Sequence, residues 1–373
     1  MDKRSASTKL LPFLLLLALS GCQLSYYSQA IQGQLALMDK SEPVSKVLQN
    51  PQTPIPVRQQ LALAQQVLTY AADEMDLPAR SVYQSYAALD RNAVVWNVLA
   101  APPYSLQPRT WCYPLVGCLN YRGYFHKDDA LSEARRLAGQ GDDTYVSGAI
   151  AYSTLGWFDD PLTSPMISRS PAGLVELLLH ELTHRRLYVP GDTRFDESLA
   201  VMVAREGTLR FLAHHPDVQV DMARWRQRDV AHRVFLDLIA DARGELAAIY
   251  ASDRPAEAMA AAKAAVITRL HRDFHQRSKA VPGLADYADF FRGPLNNAQL
   301  NGVHDYHGLV PAFRKLMLAC GGEWRCFWQR VDHLAEDDDA RQSWEDESQA
   351  GTRIGMASQL RVTGVQYQTG LRP

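Results

Sequence analysis

The chain lacks an excess of charge of either sign, and this absence limits its partners. Its 373 residues include 39 Lys and Arg against 41 Asp and Glu, for a formal net charge of −2. Proteins that bind nucleic acid carry a basic surplus that neutralises phosphates, so we expect no nucleic-acid partner. The chain also lacks repeats and low-complexity stretches, and its 47% hydrophobic and 21% charged residues are ordinary globular values. Collagen, coiled coil and wholesale disorder are therefore excluded.

Long apolar runs are missing too, apart from one near the N-terminus. Basic residues precede the apolar segment Leu10–Leu19, which is too short to span a bilayer as a stable helix. This order is typical of a secretory signal peptide. Leu19-Ser20-Gly21-Cys22 resembles the bacterial lipobox, so we expect residues 1–21 to be removed and Cys22 to carry lipid. A plain signal peptide that ends at a chance cysteine is the alternative.

The expected destination follows from this leader. We predict an exported, periplasmic lipoprotein that a lipid anchor at Cys22 holds on a membrane. Gln23 follows the cysteine, where an Asp would indicate retention at the inner membrane. The sequence therefore favours the outer membrane.

Cysteine is scarce, and beyond Cys22 only four remain. They form two windows, Cys112 with Cys118 and Cys320 with Cys326, with five residues between the members of each. Four cysteines allow three connectivities, and disulfides persist in exported proteins. We favour pairing within each window. A zinc site of all four thiolates is the alternative, although this spacing is wider than that of zinc knuckles.

The pattern of apolar residues predicts an α+β fold, with a small mixed or antiparallel sheet and a mostly helical C-terminal half. Short strands are expected within 93–105 and 108–125, and another at 143–152, followed by a loop to Ser170. Predicted helices span 25–40, 56–75, 127–139, 171–188, 196–214, 217–250, 254–279, 297–302, 309–319 and 323–335. We expect residues 22–373 to form one domain, with a polar tail from about 338.

The segment His180-Glu181-Leu182-Thr183-His184 is an H-E-x-x-H motif. Residues four apart share one face of a helix, so both imidazoles can bind one metal ion. Glu181 is offset by about 100° and can reach a water molecule beside that ion. Apolar residues upstream predict that the helix is buried. A coincidental match is the alternative.

A third ligand is expected, because zinc hydrolases keep three protein ligands and leave a fourth position for water. Asp196 is placed to cap the next helix, so Glu197 would lie in its first turn and face the motif. We therefore predict one Zn²⁺ per chain, held by His180, His184 and Glu197. The alternatives are that Glu197 is a solvated first-turn acid, or that Asp196 is the ligand.

This arrangement resembles the gluzincins, the metallopeptidases in which a Glu on the next helix completes an H-E-x-x-H site, although the spacing to Glu197 is unusually short. A closer resemblance is to a bacterial aminopeptidase family of exported lipoproteins. It covers nearly all of the mature chain and implies a gluzincin-like zinc peptidase. The segments that carry it are Tyr27-Ser28-Gln29-Ala30, Trp111-Cys112, Gly117-Cys118, Tyr121-Arg122-Gly123-Tyr124-Phe125, Ala151–Pro161, His180–Gly191, Asn296-Asn297, and Tyr306 with Val310-Pro311-Ala312-Phe313.

The resemblance also implies roles for individual residues. Glu181 would act as the general base, and a further donor would stabilise the oxyanion. Tyr306 and Tyr152 are the candidates for that donor, and packing roles are the alternative for both. A peptide or protein is the expected substrate.

Substrate specificity remains open at this point. The strand that ends at Tyr152 is expected to line the cleft and pair with the substrate backbone. Classical gluzincin aminopeptidases carry there a Glu that grips the free amine, but Gly148–Tyr152 has none; Asp159 and Asp160 could replace it. A zinc endopeptidase of envelope protein quality control, and a non-catalytic envelope lipoprotein with a structural metal site, are the alternative functions.

Overall fold

The computed structural model describes residues 10–113, 117–151 and 159–347, while the side chains of 10–24 and 304–306 lie outside this description. The strands are β1 (Ser41–Pro43), β2 (Ser85–Ala87), β3 (Val95–Ala101), β4 (Trp111–Tyr113), β5 (Gly117–Leu119), β6 (Arg122–Tyr124), β7 (Asp143–Ala149) and β8 (Leu162–Thr163). The helices are α1 (Leu10–Asp39), α2 (Val44–Gln49), α3 (Ile55–Glu74), α4 (Lys127–Ala138), α5 (Ser164–Ile167), α6 (Pro171–Arg186), α7 (Thr193–His214), α8 (Met222–Tyr250), α9 (Ala256–Ser278), α10 (Asn297–His307), α11 (Val310–Ala319) and α12 (Trp324–Glu336). A 3-10 turn spans Leu284–Tyr287, and residues 338–347 are helical. Among the described residues, no helix is both long enough and apolar enough to cross a membrane.

The described strands form small sheets. β6, β3 and β7 lie in that order in an antiparallel sheet, and β7 pairs with β3 along its whole length. β1 runs antiparallel and β8 parallel to the central β2 of a mixed sheet. β4 and β5 form a separate antiparallel hairpin. The fold is therefore mixed α+β and mostly helical, which confirms that part of the sequence prediction.

The main hydrophobic core surrounds α6. Leu174, Leu178 and Leu182 on this helix are fully buried against residues of α3, α7, α11 and α12. Each fully buried leucine contributes roughly 1.5–3 kcal/mol, so these contacts fix the position of α6. A second core joins α8, α9 and the 3-10 turn, and α10 packs between it and α7. The predicted burial of the motif helix is confirmed.

The start of α6 also follows the prediction. The Ser170 hydroxyl accepts a hydrogen bond from the Gly173 amide at 3.3 Å, and Pro171 occupies the first helical position. Two other segments differ from the prediction. The described part of the expected 153–170 loop contains β8 and α5, because β8 pairs with the distant β2. The helix predicted at 297–302 continues to His307, since α10 packs against α7 and α8.

Candidate metal centre

The two histidines of the motif face each other on one side of α6. Their Nε2 atoms lie 3.2 Å apart, and the ring centroids lie 4.8 Å apart in an edge-to-face arrangement. This geometry follows from their spacing of four residues, which places them one above the other along the helix. His180 and His184 therefore present two nitrogen donors to the same point.

Glu197 on α7 supplies an oxygen at that point. Its Oε2 atom lies 3.2 Å from His180 Nε2 and 3.5 Å from His184 Nε2. The side chain is buried, and Oε2 accepts no hydrogen bond of normal geometry from the described residues. The structure thus brings together the three residues that the sequence predicts as ligands.

The spacing of these atoms fits a tetrahedral metal ion. Zinc binds histidine nitrogen and carboxylate oxygen at about 2.0–2.1 Å, so neighbouring donors of a tetrahedral site lie about 3.3–3.4 Å apart. The observed separations of 3.2–3.5 Å bracket that value. Two imidazoles and one carboxylate are also the donor set of zinc peptidases, in which the fourth position is kept for water. The three residues therefore fit one zinc ion.

The electrostatics of the group favour a positive charge among the three side chains. Burial alone would raise the pKa of the Glu197 carboxyl, but the adjacent imidazole of His184 outweighs it and the pKa falls to about 2. Burial likewise opposes protonation of His184, yet the Glu197 carboxylate raises its pKa to about 9. Both shifts have one cause, a buried carboxylate that needs a cationic partner. A divalent cation would meet the same need.

Glu181 lies beside the ligands but is not one of them. It follows His180 directly on α6, so its side chain points about 100° away around the helix. Burial raises the pKa of its carboxyl, although the imidazoles of His180 and His184 oppose the rise. A raised pKa suits a general base, because efficient proton transfer needs a pKa near the working pH.

Arg185, Asp160 and Tyr83 form an electrostatic cluster near Glu181 that the sequence did not indicate. Arg185, one turn further along α6, places its NH1 atom 3.7 Å from Oδ2 of the buried Asp160. Tyr83 is buried nearby with a left-handed φ of +55°. Burial and the carboxylates of Glu181 and Asp160 raise the pKa of Tyr83, so its hydroxyl stays protonated. These contacts join distant segments, and no local pattern reveals them.

The connection between α6 and α7 departs from the sequence prediction. Asp192, rather than Asp196, caps α7 and accepts from the Phe195 amide at 3.0 Å. The helix therefore begins at Thr193, and Glu197 lies in its second turn. Asp196 is buried, and its Oδ1 accepts from the Val189 amide at 2.9 Å, which ties the turn to the helix. The capping prediction was wrong because Asp192, which directly follows the Pro190–Gly191 turn, already caps the helix.

Both cysteine pairs are bonded within their own windows. Cys112 bonds to Cys118, directly opposite it across β4 and β5, and Cys320 bonds to Cys326 between α11 and α12. The prediction of local pairing is confirmed. The alternative of a zinc site made of four thiolates is wrong, because these sulfur atoms are already paired.

The hairpin formed by β4 and β5 rests against the turn between α6 and α7, the two helices that carry the candidate ligands. A Cβ atom added at Gly117 would lie 2.8 Å from the backbone nitrogen of Gly191 and 3.0 Å from the carbonyl carbon of Pro190. Gly117 also has φ +79°, which residues with side chains rarely adopt. Only glycine permits this close approach, so the Cys112–Cys118 hairpin directly supports the Pro190–Gly191 turn.

His307, at the end of α10, is a further residue near the centre that the sequence did not single out. The Leu309 amide donates to the Ser198 hydroxyl at 3.1 Å, which places this end of α10 beside the ligand on α7. The rings of His307 and His232 lie 4.7 Å apart, and His232 Nδ1 lies 2.7 Å from the Tyr287 hydroxyl. Burial and the neighbouring His232 lower the pKa of His307, so it stays neutral.

The structure does not describe the side chains of three other predicted site residues. Tyr152 belongs to a segment that the structure does not describe, and Tyr306 is in α10 but its side chain is not described. Cys22 lies in α1, also without a described side chain. Their proposed roles as oxyanion donors and as the lipidation site remain predictions.

Comparison with known protein families identifies a match over most of the chain. A family model described as "Putative aminopeptidase" matches residues 25–344. No curated protein and no solved structure matches the chain. The matched range includes both histidines, Glu197 and both disulfides.

We predict that Glu197→Ala lowers zinc occupancy of the purified protein. The change removes one of three donors, so the affinity should fall by more than the roughly 10–100-fold typical of losing a residue that only orients a ligand. Glu176→Ala is the control, because Glu176 is a half-buried acid on α6, one turn before His180, outside the ligand set. Zinc content measured by atomic emission would disprove the assignment if it were equal in wild type and Glu197→Ala.

We predict that the double change Cys112→Ser and Cys118→Ser accelerates zinc loss to a chelator several-fold. The hairpin would no longer hold the Pro190–Gly191 turn in place. The matched control is Cys320→Ser with Cys326→Ser, because both disulfides have a sequence separation of 6. Each bridge should therefore contribute a similar ~2 kcal/mol to stability in the chain-entropy model.

The control disulfide lies at the other end of α7. Arg210 donates to the Gly322 carbonyl there at 2.6 Å, about 20 Å along the helix from Glu197. Loss of the Cys320–Cys326 disulfide should lower the melting temperature without changing the rate of zinc release. Equal acceleration in both double variants would show that only global stability matters.

Proposed function

Since the chain belongs to the "Putative aminopeptidase" family, we propose that it is a zinc-dependent peptidase with a gluzincin-like centre. The observation that carries the proposal is the placement of His180, His184 and Glu197, with donor atoms 3.2–3.5 Å apart, beside the non-ligand carboxylate of Glu181. A structural zinc site is closed by four protein ligands and has no use for such a base. The arrangement therefore favours catalysis over a structural role.

The chain's own residues divide the work of hydrolysis. His180, His184 and Glu197 would hold the zinc ion, which when bound supplies a Lewis acid and lowers the pKa of a coordinated water to about 7. Glu181 accepts the proton of the attacking water and returns it to the leaving amine. Burial of α6 keeps bulk water away from one wall of the site. Tyr306 and Tyr152 remain the candidate donors to the oxyanion.

β7 is the proposed binding edge for the substrate backbone. It lies at the edge of the described β6–β3–β7 sheet, so one side of the strand carries backbone groups that a peptide can pair with. Asn296 occupies part of this edge, donating to the Thr144 carbonyl at 2.9 Å, and α10 packs against the strand. A Cβ atom at Gly148 would lie 3.0 Å from Ala93 Cβ, so packing within the protein favours glycine at this position of β7.

One observation favours an endopeptidase, the second candidate function. A strict aminopeptidase needs an anionic group that grips the free amine of its substrate. Of the two loop acids considered for this role, Asp160 is buried and paired with Arg185, while Asp159 is exposed. The Arg185 guanidinium offsets the charge of Asp160, which makes it a poor amine anchor. We propose that the site also accepts peptides with a blocked N-terminus.

The site of action is proposed from the leader sequence. Residues 1–21 would be removed on export, and lipid on Cys22 would hold the domain of residues 22–373 at the outer membrane of the cell envelope. The two disulfides are compatible with an oxidising compartment, where such bonds persist.

We predict that Glu181→Gln keeps the zinc and the fold but lowers kcat for a peptide substrate by roughly 10²–10⁴-fold, the usual range for losing a general base. Substrates would be identified with a peptide-library digest and zinc content measured on the same samples. Glu176→Gln, the same change one turn before the motif, is the control and should keep its activity. Full activity in Glu181→Gln would rule out this mechanism.

We predict that one peptide is cleaved whether its N-terminus is free or acetylated. The reason is the pairing of Asp160 with Arg185, which leaves no strong penalty for losing the amine. The comparison would use wild type, Asp159→Asn and Asp160→Asn. The aminopeptidase assignment would stand instead if acetylation abolished cleavage and an Asn variant weakened cleavage of the free peptide.

A further inference from the structure

α1 has an inner face that the rest of the protein covers. Gln29 Nε2 donates to the Gly123 carbonyl at 3.4 Å, and its Oε1 accepts from the Phe125 amide at 3.1 Å. About two turns further along, Leu37 is 4% exposed. These contacts fix which side of the helix points towards β6 and therefore which side points away.

The opposite side of α1 is apolar and exposed. Ile31, Leu35 and Met38 follow one another at helical spacings of four and three, and they are 59%, 56% and 37% exposed. By the 100° rotation per residue, they lie roughly opposite Gln29 and Leu37. We call these three residues the α1 outer face. A surface helix normally carries polar and charged residues on this side.

Charge is also missing from this part of the helix. The sequence from Cys22 to Met38 contains no Asp, Glu, Lys or Arg, whereas 21% of the whole chain is charged. The first charged residue is Asp39, where α1 ends. A charged side chain is costly to move out of water, so its absence removes the main penalty for contact with lipid.

We propose that the α1 outer face lies on the surface of a phospholipid bilayer. The proposal rests on the proposed lipid anchor: Cys22 is on the same helix, about 14 Å along its axis from Ile31, so acyl chains there would keep this stretch of α1 close to the membrane. Interfacial helices bury apolar side chains at the boundary between headgroups and acyl chains. Because no basic residue takes part, neutral lipids suffice and added salt has no effect.

A second copy of the chain is less well supported than a bilayer as the partner of the α1 outer face. Three partly exposed side chains supply only a fraction of the roughly 800 Å² that each partner buries in a standard interface. The bilayer needs no such minimum area, because the anchor already supplies the affinity. The outer face would then set the orientation of the domain on the membrane.

The experiment measures lipid contact by fluorescence quenching. The lipidated full-length protein is reconstituted into phosphatidylcholine vesicles whose acyl chains carry bromine, which quenches tryptophan at contact distance. Leu35→Trp places a probe on the outer face, and Leu318→Trp, at a leucine of α11 that is 70% exposed, is the matched control. The seven native tryptophans give a background shared by both variants.

We expect the added emission of Leu35→Trp to fall by at least half in brominated vesicles, at low and high salt, and that of Leu318→Trp to stay unchanged. No quenching of Leu35→Trp in anchored protein would overturn the proposal and leave the anchor intact. Light scattering that shows a dimer of wild type and a monomer of Leu35→Ser would assign the face to a second copy and also overturn it.

The outcome is separable from the proposed enzyme activity. Zinc content and peptide hydrolysis are measured on the same vesicles, and their loss would not alter quenching at residue 35. If mass spectrometry shows no acyl group on Cys22, the unlipidated protein is mixed with the same vesicles. Failure to bind them would then overturn both the anchor and the outer-face proposal, whereas quenching of Leu35→Trp would support the face alone.

Discussion

A single geometric constraint governs the centre of this molecule: an oxygen of α7 stays within 3.2–3.5 Å of two nitrogens of α6. The two nitrogens are fixed by one helix, but the oxygen depends on how two helices cross. Each feature around the α6–α7 turn limits that crossing. Asp196 ties the turn to α7, the hairpin supports it from outside, and Arg341 Nε donates to the Asp192 carboxylate at 3.1 Å from the C-terminal helical segment.

The same constraint places the carboxylates of Glu181 and Glu197 in different surroundings. Glu197 faces the imidazoles, and the pKa of its carboxyl falls despite burial. Glu181 points away from the ligand position, and burial raises the pKa of its carboxyl. Two chemically equivalent groups thus acquire opposite proton affinities from their surroundings alone. In the proposed mechanism, this divergence would let Glu197 bind a cation and Glu181 accept and return a proton.

The part of the site that depends on one helix could be predicted from sequence, and the part that depends on tertiary packing could not. Spacing within α6 gave the facing histidines and the offset of Glu181. Glu197 was correctly placed near them, yet its helical register was wrong because Asp192, not Asp196, caps α7. The Arg185–Asp160 pair, His307 and the contact of Gly117 with Gly191 join segments far apart in sequence. Local patterns carry no information on such contacts.

The hairpin has a consequence for the order in which the protein matures. Its crosslink, Cys112–Cys118, forms only where an oxidant is present, and the reducing cytoplasm keeps such thiols apart. Before oxidation, no covalent bond between Cys112 and Cys118 would help to hold the strand carrying Gly117 against the turn that joins α6 and α7. If the site binds metal as proposed, its affinity for the ion would be lower before this bond forms and higher afterwards. If the chain is exported as proposed, this order would delay the proposed activity until the protein has left the cytoplasm.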